Sequence, residues 1–228
     1  MDLVTTADGS KTLYHSEVGE HYHSKHGALQ ESQHVFLKSG LQFFLEKSDQ
    51  ESVAVLEVGF GTGLNFVVTA DYCMHHPIQL DYCGIEAFPL AIDTIKGLGY
   101  GAYVSEKVWN AFTDSYPRAL VERVEIDAQM DLQIAHTKVL DFDSKKRFDV
   151  VYFDAFAAVH QPEMWNDATL AHVTKFLNPG GVFVTYAITG NLKRSMKALG
   201  FTIEKAPGAP GKREMLRAVL SLPPSTPE

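Results

Sequence analysis

Val53-Ala-Val-Leu-Glu-Val-Gly-Phe-Gly-Thr-Gly-Leu-Asn65 reads as a strand that enters a glycine turn and leaves it as a helix. Val53, Val55, Leu56 and Val58 form the short apolar run that a strand buried on both faces needs. Gly59, Gly61 and Gly63 then remove three side chains within five residues, so the backbone can approach a ligand closely. Helical spacing resumes at Leu64, which would aim the amides of the turn and of the first helical turn at whatever lies above the strand's carboxyl end. The glycines by themselves would also suit a tight strand-to-helix turn with no ligand.

The acid at Glu57 separates two kinds of ligand. A dinucleotide fingerprint spaces its glycines as G-x-G-x-x-G and points a helix dipole at pyrophosphate, whereas here the spacing is Glu-x-Gly-x-Gly-x-Gly. A carboxylate at this position repels phosphate and favours a nucleoside with a positive end. S-adenosylmethionine, with an ammonium and a sulfonium, fits that description.

The bulk numbers narrow the setting. At 228 residues, 45% hydrophobic and 21% charged, the chain suits one α/β domain with a full core. No window approaches eighteen consecutive apolar residues, and Met1 to Thr6 lacks a basic and then apolar leader, so a cytoplasmic protein is expected. Cys73 and Cys83 are too few for a disulfide framework and read as reduced core thiols. The net charge of −8 argues against holding nucleic acid by overall electrostatics. Yet Lys193, Arg194, Lys197, Lys205, Lys212, Arg213 and Arg217 face only Glu204 and Glu214 in their stretch, a local +5 that leaves −13 elsewhere. That stretch suits a solvated face or a polyanion-binding edge.

Outward from the turn, residues 1–50 read as an extension packed on the core. Tyr14 to Gly27 is rich in aromatics and histidines, and Ala28 to Leu45 has helical spacing. Five of the ten histidines lie between His15 and His34, but without a fixed ligand pattern, so no metal is expected. Beyond the turn, Leu64 to Cys73 reads as a helix and Ile78 to Ile85 as the second strand. This strand ends in Glu86, where one carboxylate can accept hydrogen bonds from both hydroxyls of a ribose. Pro89 is expected to open the next helix, and Val108 to Val124 to be a helix broken at Pro117. Met130 to Thr137 is the third strand. Arg147 to Asp154 is the fourth and delivers Asp154 to the sheet edge beside the glycine turn. Phe156, Pro162, Met164 and Trp165 then supply an apolar pocket around that acid. A helix from Trp165 to Phe176, a fifth strand from Val182 to Tyr186, a helix from Gly190 to Leu199 and a hairpin of Phe201–Lys205 with Met215–Leu220 complete the domain.

In order along the chain, Glu57-Val-Gly-Phe-Gly-Thr-Gly-Leu-Asn-Phe66, Glu86-Ala-Phe-Pro-Leu90, Asp154-Ala-Phe-Ala with Pro162-Glu-Met-Trp165, and Gly211-Lys-Arg-Glu-Met-Leu216 resemble the methyltransferases of the MnmC type. Tyr22-x-Ser24 and Glu31-Ser-Gln-His-Val-Phe-Leu37 are similar to that family's lead-in, so the likeness covers nearly the whole chain. The family makes the last methylation of 5-methylaminomethyl-2-thiouridine at the tRNA wobble position. The resemblance implies an α/β, Rossmann-like class I S-adenosylmethionine-dependent methyltransferase. It would have a mostly parallel seven-stranded sheet, helices on both faces, an N-terminal extension (1–50), a methyltransferase domain (51–222) and a flexible tail (223–228). Many members carry a second, FAD-dependent oxidoreductase domain; this chain is similar to the standalone form.

The resemblance also implies a set of site residues. Glu57, Gly59, Phe60, Gly61, Gly63 and Asn65 would surround the amino-acid end of the cofactor, with Glu86 on its ribose. The family's Gly-Asp pair after the third strand reads Ala135-His136 here, which makes His136 the expected adenine contact and Asp141 the fallback. Asp154 would accept a proton from the acceptor amine, and Phe156 and Trp165 would stack on the flipped wobble base. The family's Phe-Ala-Pro-x-Lys-Asn-Pro reads Phe156-Ala-Ala-Val-His-Gln-Pro162, placing His160 where a substrate lysine is usual. Lys212 and Arg213, with Lys193 and Arg194, are the expected phosphate contacts on the partner, the tRNA anticodon loop. Two other readings stay open: a small-molecule amine methyltransferase or aminopropyltransferase on the same scaffold, and a non-enzymatic RNA-binding adaptor.

Overall fold

The computed structural model describes residues 1–48 and 50–222; the expected tail, 223–228, lies outside the described residues. The chain opens with a small antiparallel sheet of β1 (Asp2–Thr5), β2 (Lys11–His15) and β3 (Glu20–His21), which the sequence patterns did not reveal. Its first turn caps the following helix. The Asp8 carboxylate accepts from the Ser10 amide and both hydroxyls of Thr6 and Ser10, and its other oxygen accepts the Gln30 amide at 3.0 Å. The Ser10 hydroxyl in turn accepts the Ala28 and Leu29 amides, so orphan donors of the helix start are satisfied from the hairpin.

That helical run covers 28–47: α1 (Ala28–Glu31), a wider π-helical stretch (Ser32–Gln42) and α2 (Phe43–Lys47). It presses on the main sheet at Gly40, where an added Cβ would lie 2.9 Å from both Tyr152 and Val184. The absent side chain lets helix and sheet meet backbone to ring.

The main sheet contains β4 (Ser52–Val58), β5 (Gln79–Glu86), β6 (Val124–Asp127), β7 (Met130–His136), β8 (Phe148–Phe153), β9 (Leu177–Thr185), β10 (Phe201–Pro207) and β11 (Glu214–Leu220). Their order is β10-β11-β9-β8-β4-β5-β7-β6. The five central strands are parallel and both edges are antiparallel, as the mostly parallel α/β class requires. An eighth strand joins the seven expected ones: β6 is four residues long, tucked against β7, and too short to show alternation. The helix before it, α5 (Glu106–Ala119), runs through Pro117 rather than breaking there. Pro117 sits in the last turn, where the missing N–H forfeits a single ladder bond.

Helices cover both faces. The 28–47 run, α3 (Leu64–Met74), α4 (Ile92–Gly97) and α5 pack on one side, and α6 (Asp167–Thr174) and α7 (Gly190–Ala198) on the other. Pro89 lies three residues before α4 and does not open it, and Trp165 precedes α6 in a short 3-10 turn, Pro162–Trp165. In β4, Val53 and Val55 face the α3 side while Leu56 and Val58 face α6 and α7. The chain passes from β4 outward to β5 and β7, then returns to β8 on the other side of β4. The crevice for ligands therefore opens between β4 and β8. Cys73 and Cys83 are both free and buried. No helix among the described residues is long and apolar enough to cross a membrane.

The extension is pinned to the glycine turn by His23, whose Nε2 lies 2.9 Å from the Thr62 hydroxyl. Burial lowers this imidazole to about 4. Two outcomes are expected. Gly40→Ala forces Tyr152 or Val184 to move and lowers stability by about 1–3 kcal/mol, read as a lower urea midpoint. Between pH 6.5 and 4 the unfolded chain protonates His23 and the native one does not, so this group's contribution is lost as pH falls. The loss amounts to about 3 kcal/mol. Unfolding free energies from urea titrations at pH 7, 5.5 and 4.5 should fall more steeply with pH for the wild type than for His23→Gln, the difference approaching that margin at the lowest pH.

Candidate active site

A cavity of about 1260 Å³ opens above the carboxyl ends of β4, β5 and β8. Its floor is Val58 to Thr62 with Ile85 to Phe88, one end is Thr137 to Asp141, and the opposite wall holds Asp154, Ala155, Phe156, Tyr186 and Lys212. Much of the remaining wall comes from Tyr14 to Lys25, so the N-terminal extension encloses the site. Sequence patterns assigned no site role to this segment; its aromatic and histidine density was the available signal.

Four amides of the glycine turn, expected to face a ligand, are taken within the fold. Gly59 and Phe60 donate to the Ile85 carbonyl at 3.0 and 3.2 Å, Gly63 donates to Phe60, and Gly61 donates to Glu86 Oε2 at 2.8 Å. What the turn provides is proximity. Gly59 and Gly61 have φ of 85° and 52°, and a Cβ on Gly59 would lie 2.5 Å from the Asp154 carbonyl oxygen. Gly63 serves packing instead, since its Cβ would meet Phe112 at 2.8 Å, and the Phe60 ring points into the aromatic core beside Phe66 and Phe112.

Glu57 lies beneath the floor, fully buried, on the same strand face as Val53 and Val55. Its two oxygens accept from Asn65 Nδ2 and the Tyr82 hydroxyl, each at 2.8 Å. The same Asn65 amide donates to Asp154 Oδ2 at 2.8 Å, so one side chain on α3 joins two carboxyl groups. Burial pushes both carboxyls well above the usual range; hydrogen bonding from Asn65 opposes this in each. The Asn65 carbonyl oxygen is buried without a hydrogen-bond partner.

Glu86 stands at the end of β5, with Oε1 accepting the Phe88 amide at 2.9 Å and Oε2 the Gly61 amide. Each oxygen keeps acceptor capacity for a ligand hydroxyl. Beside it, Phe88 is 77% exposed and Leu140 52%, two apolar side chains on the cavity rim that suit a flat aromatic group. His136 pairs with Glu86 across the strands but does not line the cavity, whereas Asp141 does.

On the acceptor side, the Phe156 ring meets Tyr22 edge-on at 5.2 Å, and Tyr22 in turn covers Gly61. Burial, with Glu86 adding, raises the Tyr22 phenol to about 12. Trp165 stands behind this wall: its indole N–H donates to the Phe156 carbonyl at 2.7 Å and its ring packs on Phe153. His160 is exposed outside the cavity, against Gly19, and Arg213 is exposed outside it as well. Seven carboxyl groups and three lysines line the cavity, which favours a cationic ligand.

Two relatives extend the likeness beyond the fold. The tRNA 5-methylaminomethyl-2-thiouridine biosynthesis bifunctional protein MnmC of Leptospira borgpetersenii is 30% identical over 77% of this chain, and that of Magnetococcus marinus 32% over 73%. The chain spans only 28% and 26% of those proteins. The crystal structure of MNMC2 from Aquifex aeolicus matches with a TM-score of 0.78, covering 97% of this chain and 70% of that one at 24% identity. A Listeria monocytogenes structure assigned to the class I S-adenosylmethionine-dependent methyltransferases gives 0.51, covering 90% and 66% at 16% identity. At these identities the structures speak for the fold. A family model for S-adenosyl-L-methionine-dependent methyltransferases matches residues 104–221, and the chain belongs to that family.

Proposed function

We propose that this chain methylates the aminomethyl nitrogen of 5-aminomethyl(-2-thio)uridine at the wobble position of tRNA, giving 5-methylaminomethyl-(2-thio)uridine. The observation that carries the proposal is the position of Asp154: in the cavity wall, in contact with the turn at Gly59, and gripped by Asn65. The curated relatives carry this pathway in their names. The cavity fits the cofactor, with a side-chain-free approach at Gly59 and Gly61, a carboxylate at Glu86 for two hydroxyls, and apolar cover from Phe88 and Leu140 for a purine.

S-adenosylmethionine supplies, when bound, a methyl group on a positive sulfur that an in-line lone pair can take. The chain's own residues must present that lone pair. A primary amine is mostly protonated at neutral pH, so Asp154 takes a hydrogen bond from it, aligns it and receives its proton, a role worth roughly 10²–10⁴-fold. Asn65 fixes the carboxylate for that contact, and Glu57 acts through Asn65 from below the floor. Phe156 and Tyr22 offer ring edges and faces to a base turned out of the anticodon loop. Trp165 holds the Phe156 backbone, and Arg213, with Lys193 and Arg194, remains available for phosphates. Among the described residues Lys205 and Arg217 are paired with Glu214 and Glu204, which makes them poorer candidates.

Incubation with labelled S-adenosylmethionine and tRNA from cells lacking the final methylation should place label in 5-methylaminomethyl-uridine derivatives. Label in no uridine derivative would sink the reading, and turnover of free polyamines without tRNA would redirect it to the small-molecule alternative. Asp154→Asn should lower kcat on that tRNA by about 10²-fold or more while cofactor affinity, measured by calorimetry, stays within a few-fold.

A further inference from the structure

Lys212 is not placed like a surface phosphate contact. Its ammonium lies 3.0 Å from Glu31 Oε1 and 3.7 Å from the centre of the Tyr186 ring. Glu31 is only 4% exposed and its second oxygen accepts the Ser24 amide at 2.9 Å. The Tyr186 hydroxyl donates to the Ala155 carbonyl, the residue after Asp154, at 2.8 Å. The hairpin loop that carries Lys212 is itself docked on the extension: His34 Nε2 lies 2.7 Å from the Pro207 carbonyl oxygen, and the His26 ring fills the space beside Gly211. Lysine, glutamate, tyrosine and aspartate all line one cavity.

We propose that Lys212 is a positioning residue, its ammonium held in the cavity by Glu31 and the Tyr186 ring so that the Asp154 carboxyl stays ionised and able to take the acceptor's proton. The proposal rests on the reading of Asp154 given above. The physical need is plain from the surroundings. Glu31 from α1 and Glu20 from β3 are negative groups near Asp154, Glu57 from β4 is a second carboxyl raised by burial, and Tyr82 from β5 and Tyr186 after β9 are phenols that bring no positive charge. Burial and the Glu31 charge both raise the Asp154 carboxyl, Asn65 lowers it by hydrogen bonding, and Lys212 supplies the opposing positive charge. Without that cation, burial and the neighbouring Glu31 and Glu20 charges would raise the proton acceptor further, with only Asn65 to oppose them. A cation in the same space also disfavours the protonated form of an entering amine.

The test is a titration of Asp154 in the intact chain, by carbon NMR of ¹³C-carboxyl aspartate, with the signal assigned by its loss in Asp154→Asn. In the wild type the carboxyl should be ionised at pH 7. Lys212→Gln keeps a donor for Glu31 and removes the charge; it should raise the midpoint by about one unit or more, and Lys212→Arg should leave it at the wild-type value. The acid limb of kcat/KM on hypomodified tRNA should move with the midpoint. A wild-type Asp154 that is protonated at pH 7 overturns the proposal whatever the variants do. So does an unmoved midpoint in Lys212→Gln, including the case where that variant only weakens tRNA binding and flattens its salt dependence, as a phosphate contact would. Absence of methyl transfer by the wild type would defeat the functional reading alone, because the titration needs no turnover.

Discussion

One amide holds the site together. Asn65, in the first turn of α3, donates from a single nitrogen to Glu57 beneath the sheet edge and to Asp154 above it. Two carboxyl groups within reach of one nitrogen would repel each other and resist burial; a shared donor is what makes their proximity tolerable. The tie also fixes the geometry of three elements, since Glu57 belongs to β4, Asn65 to α3, and Asp154 to the end of β8. The glycine turn between Glu57 and Asn65 is the short connection that lets one chain segment supply both ends of the bridge.

Much of the fold was legible because its signals are local. The apolar runs of β4, β5, β8 and β9, the three glycines, and the acids at strand ends each reflect a single element and its neighbours. The strand-end rule brought Glu86 and Asp154 to the cavity without any long-range information. Glu57 was legible too, but in a different sense from its motif. Counting by two along β4 puts it on the face of Val53 and Val55, inside the core, so its influence on the cavity passes through Asn65.

The remainder depended on contacts far apart in sequence. That Trp165 would turn its indole nitrogen to the Phe156 carbonyl, or that Lys212 would stack on Tyr186, cannot be read from spacing within either segment. The amides of Gly59, Phe60 and Gly61 are taken for a related reason: their partners, the Ile85 carbonyl and the Glu86 carboxylate, lie on the neighbouring strand. β1 to β3 stayed hidden because they are short and half-exposed, with no alternation to betray them.

The Glu31–Lys212 contact joins residues separated by 181 positions. The entropic cost of closing a loop rises only slowly with its length, so a chain can bring such distant segments to one cavity wall. The cavity wall therefore has a natural seam between the extension and the closing hairpin.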